Sequence, residues 1–187
     1  MRRAKDNPFS AQRLAGLKFR GEALETLAGR LEPMGRRAAV VGPHGSGKST
    51  LLRGLLARLA AEGYDVRAVF LHLGDRWLKR NDRRLLFSRL GPQTVLAVDG
   101  AEQLSTLAWR ELSLRSRRAA GLLVTSHREG LLPTLYVCDT TPELLAELAR
   151  ELTGEELPEA QIAELFSRHG GNLHDVFWEL YDGWAGR

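Results

Sequence analysis

The stretch Ala38-Ala39-Val40-Val41-Gly42-Pro43-His44-Gly45-Ser46-Gly47-Lys48-Ser49-Thr50 decides how the rest of this sequence is read. Its first four residues form an apolar run stopped by glycine, the pattern of a buried parallel strand. Gly42 to Ser49 then fit G-x-x-x-x-G-K-[ST], a loop that wraps closely around phosphates and turns its backbone N–H groups inward. A helix is predicted over 48–62, with Leu51, Leu52, Leu55, Leu56 and Leu59 inward and Gly63 as its stop. Its positive end, worth roughly half a charge, aims at the same anion. In this reading 42–50, from Gly42 through Pro43, His44, Gly45, Ser46, Gly47, Lys48 and Ser49 to Thr50, hold a nucleotide. Lys48 reaches the β- and γ-phosphates, and Ser49 ligates Mg²⁺.

Outward from this loop, strand and helix alternate. Strands are predicted at 66–73, 94–98, 121–125 and 134–138, with helices at 80–90 and 102–117 between them. Five short apolar strands separated by helices predict an α/β sheet, mostly parallel and covered on both faces. Before the loop, Leu24, Leu27 and Leu31 mark a short helix, ended by Pro33 and Gly35. Residues 1–21 show little periodicity, and Asn7-Pro8-Phe9-Ser10 reads as an extended, turn-forming lead-in. After Thr141 the strands stop, and the apolar spacings predict three helices: one from Pro142, one carrying Ile162, Leu165 and Phe166, and one over 173–184. The expected organisation is a lead-in and short helix over 1–35, a nucleotide-binding α/β domain over 36–141 and a helical lid over 142–187.

Composition agrees with a globular chain and limits the alternatives. Of 187 residues, 43% are hydrophobic and 27% charged, which excludes fibrous and disordered classes. No run approaches the ~20 apolar residues of a membrane-spanning helix, and the basic start leads into no apolar run that would make a signal peptide. One cysteine, Cys138, excludes an internal disulfide framework and fits a cytoplasmic location. The formal charge is +4, carried by 23 Arg against 4 Lys. The arginine fork suits phosphate, although genome composition produces the same skew.

Two further strand ends carry polar groups. Val95-Leu96-Ala97-Val98 would deliver Asp99 to a strand tip, where a carboxylate can hold Mg²⁺ through water. Several ATPase branches place a glutamate directly after that aspartate to activate water. Here Gly100 follows, and the nearest carboxylate is Glu102, either a displaced base or a residue favouring the helix dipole. Leu122-Leu123-Val124 ends in Thr125, Ser126 and His127, candidates for sensing the γ-phosphate, of which Ser126 is assigned a catalytic role with Lys48, Asp99 and Glu102.

Over 36–187 the chain resembles the AAA+ and related STAND P-loop ATPases, on the loop, the Asp99 strand, the polar-ended strand and the helical tail. The resemblance implies a three-layer sandwich whose five-stranded sheet has the order 5-1-4-3-2, with a small C-terminal helical lid. It also implies ATP and Mg²⁺ as ligands. In that family a Gly-Asn-x-Arg-like turn opens a lid helix whose arginine touches phosphate. This chain has Gly170-Gly171-Asn172-Leu173-His174, so His174 stands in the arginine's place. The expected function is ATP hydrolysis driving a conformational or assembly switch.

Two other readings fit the same loop. A P-loop kinase acting on a small-molecule acceptor is suggested by Asp75-Arg76-Trp77, and a non-hydrolysing switch by the displaced Glu102 and by His174. No Asn-Lys-x-Asp motif supports a GTPase, and no Leu-Ser-Gly-Gly-Gln signature supports an ABC ATPase. Arginines cluster at 76–89 and 110–118, with Arg128 beyond them as a candidate finger. The clusters read as solvated faces, or as surfaces for a nucleic acid or for a neighbouring subunit's nucleotide, which makes a homo-oligomer or protein partner the expected assembly. Trp77 and Phe87 alone interleave the first cluster, which gives single-strand stacking little support.

Overall fold

A computed structural model describes residues 7–185 of the 187. The expectations for 1–6 and for the last two residues of the lid range lie outside it. The elements run α1 (Ala11–Gly16), α2 (Leu24–Leu31), β1 (Arg37–Val41), α3 (Lys48–Ala61), β2 (Asp65–Phe70), α4 (Arg80–Phe87), β3 (Thr94–Asp99), α5 (Thr106–Arg115), β4 (Gly121–Ser126), β5 (Thr134–Val137), α6 (Pro142–Thr153), α7 (Glu159–Arg168) and α8 (Leu173–Ala185). Contacts divide the chain into two units. One gathers 7–20, 43–50 and 138–185; the other gathers 21–42 and 51–137.

The second unit holds the sheet, with all five strands parallel in the order β2-β3-β4-β1-β5. The central strands β1, β3 and β4 are buried on both faces, and the sequence supplies them as apolar runs, whereas the edge strands β2 and β5 are partly exposed. Val95, Leu96, Ala97 and Val98 of β3 are all 0% exposed, and β4 is buried throughout. Leu86, Leu112, Leu122 and Val124 close one side of this core. In-register pairing of Val41 with Ser126 and of Val98 with Val124 brings the C-terminal ends of β1, β4 and β3 side by side.

Boundaries differ from the sequence reading where side chains intercept the backbone. The helix expected over 102–117 is three elements, the last a 3₁₀ turn at Ser116–Arg118. A 3₁₀ turn at Ala101–Gln103 follows Gly100, and α5 starts afresh at Thr106 because Ser105 Oγ accepts the Ala108 N–H as its cap. The strand expected over 66–73 stops at Phe70, since Asp75 takes the His72 N–H and turns the chain. The lead-in carries a six-residue helix, α1, for which its weak periodicity gives no signal.

The first unit is held by its own apolar cluster. Leu145, Leu148, Ile162, Leu165, Leu173, Val176 and Phe177 pack together, and Phe9 from the lead-in completes them. The apolar stripe of α8 is therefore covered by α6, α7 and residues 7–17, and needs no sheet to bury it. Asn7, fully buried, fixes this arrangement by donating to the Tyr181 carbonyl at 2.9 Å and accepting the Phe9 N–H. No helix among the described residues is long and apolar enough to cross a membrane.

Candidate nucleotide site

The loop at 43–49 is closed by its own side chains. Lys48, 8% exposed, donates from Nζ to the Pro43 carbonyl at 2.6 Å, and Ser46 Oγ donates to the same oxygen at 2.9 Å. Gly45 and Gly47 have φ of +70° and +85°, where a side chain is strained. These turns, with the start of α3 at Lys48, produce a cradle of backbone N–H groups suited to an anion. Ser49 and Thr50 lie half-buried on the first turn, and Pro43 and His44 are exposed at the loop's tip.

Two partners of this loop have no signal in its motif. A Cβ at Gly45 would overlap Asn172 Oδ1 and sit 2.9 Å from the backbone nitrogens of Leu173 and His174. Asn172 precedes α8, and its Oδ1 accepts the His174 N–H, so it caps the helix while meeting the loop. The Asn-before-apolar-run pattern could have marked the cap, although not the contact. Phe19 lies against Gly47 at van der Waals distance and is invisible in a segment without periodicity. Gly45→Ala is therefore expected to strain the loop and displace the start of α8. It should lower thermal stability by about 2 kcal/mol and increase amide exchange at 172–176.

The part of His174 facing the loop is its backbone. Its imidazole is 65% exposed, accepts the Trp178 indole N–H through Nε2 at 3.2 Å, and turns Nδ1 towards Asp175 at 3.4 Å. Beside the loop, Cys138 is 1% exposed. Burial pushes its thiol up from the usual 9.0 to about 11, against the opposing pull of the Lys48 charge. The folded state then holds its proton where the unfolded chain loses it, so this thiol costs stability as pH rises from 9 through 11. At pH 8 the thiolate fraction falls by about 100-fold relative to an ordinary thiol. Iodoacetamide should alkylate the unfolded chain at least that much faster than the folded protein.

In the sheet unit the polar strand ends form a connected set. Thr125 Oγ1 donates to Asp99 Oδ1 at 2.5 Å and accepts the Gly100 N–H at 2.8 Å. Thr125, 1% exposed, therefore orients the Asp99 carboxylate. Ser126 is equally buried, but its hydroxyl donates to the Arg128 carbonyl and accepts the Arg128 N–H, which closes the turn after β4. The Gly42 N–H, just past β1, donates to the Ser126 carbonyl at the end of β4.

Glu102 Oε1 lies 3.5 Å from His127 Nε2, while Oε2 is buried without a hydrogen-bond partner. The glycine after Asp99 has a steric reason. Gly100 has φ +83°, and a Cβ there would lie 3.0 Å from the Leu71 carbonyl oxygen. A glutamate directly after Asp99 does not suit this backbone, and the next carboxylate arrives on the 3₁₀ turn.

Comparison with solved structures bears on the fold. A mutant of Thermotoga maritima RuvB superposes with a TM-score of 0.58 at 20% identity, over 84% of this chain and 58% of that one. The T. maritima RuvB Holliday junction branch migration motor gives 0.55 at 20% identity, over 85% and 58%. NtrX from Brucella abortus in complex with ATP gives 0.55 at 13% identity, over 88% and 51%. The chain has the P-loop NTPase fold that these structures share. It spans little more than half the length of these AAA+ structures, and the identities carry the fold alone. No protein-family model matches the sequence, and no curated protein matches it significantly.

Among the described residues no group of three or more His, Cys, Asp or Glu could hold a metal unaided.

Proposed function

We propose that this chain binds ATP with Mg²⁺ and hydrolyses it slowly, using the bound state to drive a conformational or assembly switch. The observation that carries the proposal is the loop, where positive-φ glycines, a helix start and the buried Lys48 ammonium converge on one short turn. In this reading 42–50 cradle the phosphates, Ser49 and Asp99 hold Mg²⁺, and Thr125 keeps the Asp99 carboxylate in place. The metal would neutralise phosphate charge during transfer. Glu102 would take the proton of the attacking water, with Ser126 at the neighbouring strand end. The lid role belongs to 142–187, with the Asn172–His174 backbone on the loop. A cytoplasmic location rests on the single buried cysteine.

The non-hydrolysing switch stays as a second reading because Gly100 displaces the carboxylate. The kinase reading loses ground, since Asp75 already accepts the His72 N–H and pairs with Lys79, which hold its carboxyl below the usual range. Phosphate release decides between the first two. Glu102→Gln should retain MgATP affinity while turnover falls at least about tenfold, the lower end of what a positioned base supplies. Unchanged turnover would leave Glu102 as a helix-start carboxylate, and absent turnover with tight ATP binding would favour the switch.

A further inference from the structure

We propose that the surface formed by the turn after β2 and by α4 binds single-stranded nucleic acid. Its anchors are clear. Leu71 and Leu78 are 4% and 6% exposed, and Leu86 is fully buried in the sheet core. Between these anchors the large side chains point outward, with Phe70 at 57%, Leu73 at 91% and Trp77 at 51% exposed. Phe70 stands edge-on to His72, with ring centroids 4.8 Å apart, and presents a second ring surface along the same segment. Phe87, which the sequence suggests as the other aromatic of this cluster, is turned inward under Arg115.

The cations are arranged for an outside anion. Residues 70–90 hold six basic and two acidic side chains, and Asp75 is already paired with Lys79. Arg83 is taken by Glu111 of α5. Arg76, Arg80 and Arg84 are not buried, and among the described residues none has a carboxylate partner. Arg80 and Arg84 stand one turn apart on α4, a like-charge pair that weakens a helix unless an anion lies across it. Elsewhere Arg20, Arg30, Arg58 and Arg168 each have a carboxylate. Unpaired arginine forks supply bidentate phosphate contacts, and exposed rings between them supply sequence-tolerant stacking. A lipid surface would want a continuous apolar stripe. The outward face of α4 is instead Arg80, Asn81 and Arg84, with Leu85 as its only apolar residue.

The test is fluorescence anisotropy with a fluorescein-labelled oligo(dT) of about 20 nucleotides, longer than the ~4–16 that one such surface covers. It is read at rising salt, on the full chain without ATP. The oligonucleotide should bind in the micromolar range. Trp77→Ala should weaken binding at least about fivefold at all salt concentrations, the lower end of what one stacked base contributes. Arg80→Gln with Arg84→Gln should weaken it at least about tenfold and reduce the slope of log K against log salt by about 1.4, or two phosphates' worth. Arg150→Gln, on α6 of the other unit, should change nothing, and circular dichroism melts of all variants should match the parent. The proposal falls if binding is no tighter than about 100 µM, the weak end of non-specific association, if the variants bind like the parent, or if a duplex of the same length binds as tightly. It also falls if phosphatidylserine vesicles capture the protein while oligo(dT) does not.

Discussion

Replacing Lys48 by alanine is expected to lower MgATP affinity by about 100- to 1,000-fold, or 3–4 kcal/mol, while the melting temperature barely moves. The two halves of this expectation have separate reasons. The ammonium is buried to 8% exposure and held over the loop by the Pro43 carbonyl, so little ordering remains to be done when a phosphate replaces that oxygen. Each charge-assisted contact with phosphate is worth about 1.5–3 kcal/mol, and the proposed role gives Lys48 two of them. The fold should lose little, because Pro43 lies at the exposed tip and its carbonyl keeps the hydrogen bond from Ser46 Oγ. Titration calorimetry on both proteins, beside their thermal melts, checks the two halves independently. Equal affinities would remove the nucleotide assignment, and a large drop in melting temperature would make the lysine a structural residue.

Local pattern carries the fold a long way. The apolar runs at 38–41, 95–98 and 122–124 become buried central strands, because parallel strands covered on both faces need such runs and have no polar face to show. Their order is implied by the family resemblance, and the ladder β2-β3-β4-β1-β5 agrees with it. Element ends are less legible. Ser105 Oγ and the Asp75 carboxylate each capture one backbone N–H, and a single hydrogen bond is enough to restart a helix or end a strand.

The candidate site divides in the same way. The loop is readable because phosphate binding constrains glycine and lysine spacing over a few consecutive residues. Asn172 against Gly45 and Phe19 against Gly47 are not, since each joins segments far apart in the chain. Thr125 is one of three polar residues at a strand end, and only the register of β4 with β3 could single it out as the partner of Asp99. The displaced Glu102 is visible as a spacing. Its cause is not, because the Leu71 carbonyl that crowds Gly100 belongs to the neighbouring strand's exit.

Phe177→Ala is expected to cost the helical unit about 3–5 kcal/mol, the range for emptying a buried phenylalanine site. The ring is 5% exposed and stacks on Phe9 at a centroid distance of 6.1 Å and an interplanar angle of 21°. Val176 and Leu145, both fully buried, pack in the same cluster. The cavity cannot collapse easily, because Asn7 holds the lead-in in place through the Tyr181 carbonyl. Phe9→Ala tests the same cluster from the opposite side and should also cost several kcal/mol, although it lies in a segment whose sequence predicts little structure. Leu85→Ala, at a site 49% exposed on α4, should stay within about 0.5 kcal/mol. Thermal and urea unfolding of the three variants gives the comparison. A loss below about 1 kcal/mol for both phenylalanines, far under the cavity range, would mean that residues 7–17 do not cover the helices in solution. Because Asn172 and the start of α8 lie against Gly45 within this unit, Phe177→Ala should also weaken MgATP binding without touching a phosphate-binding residue.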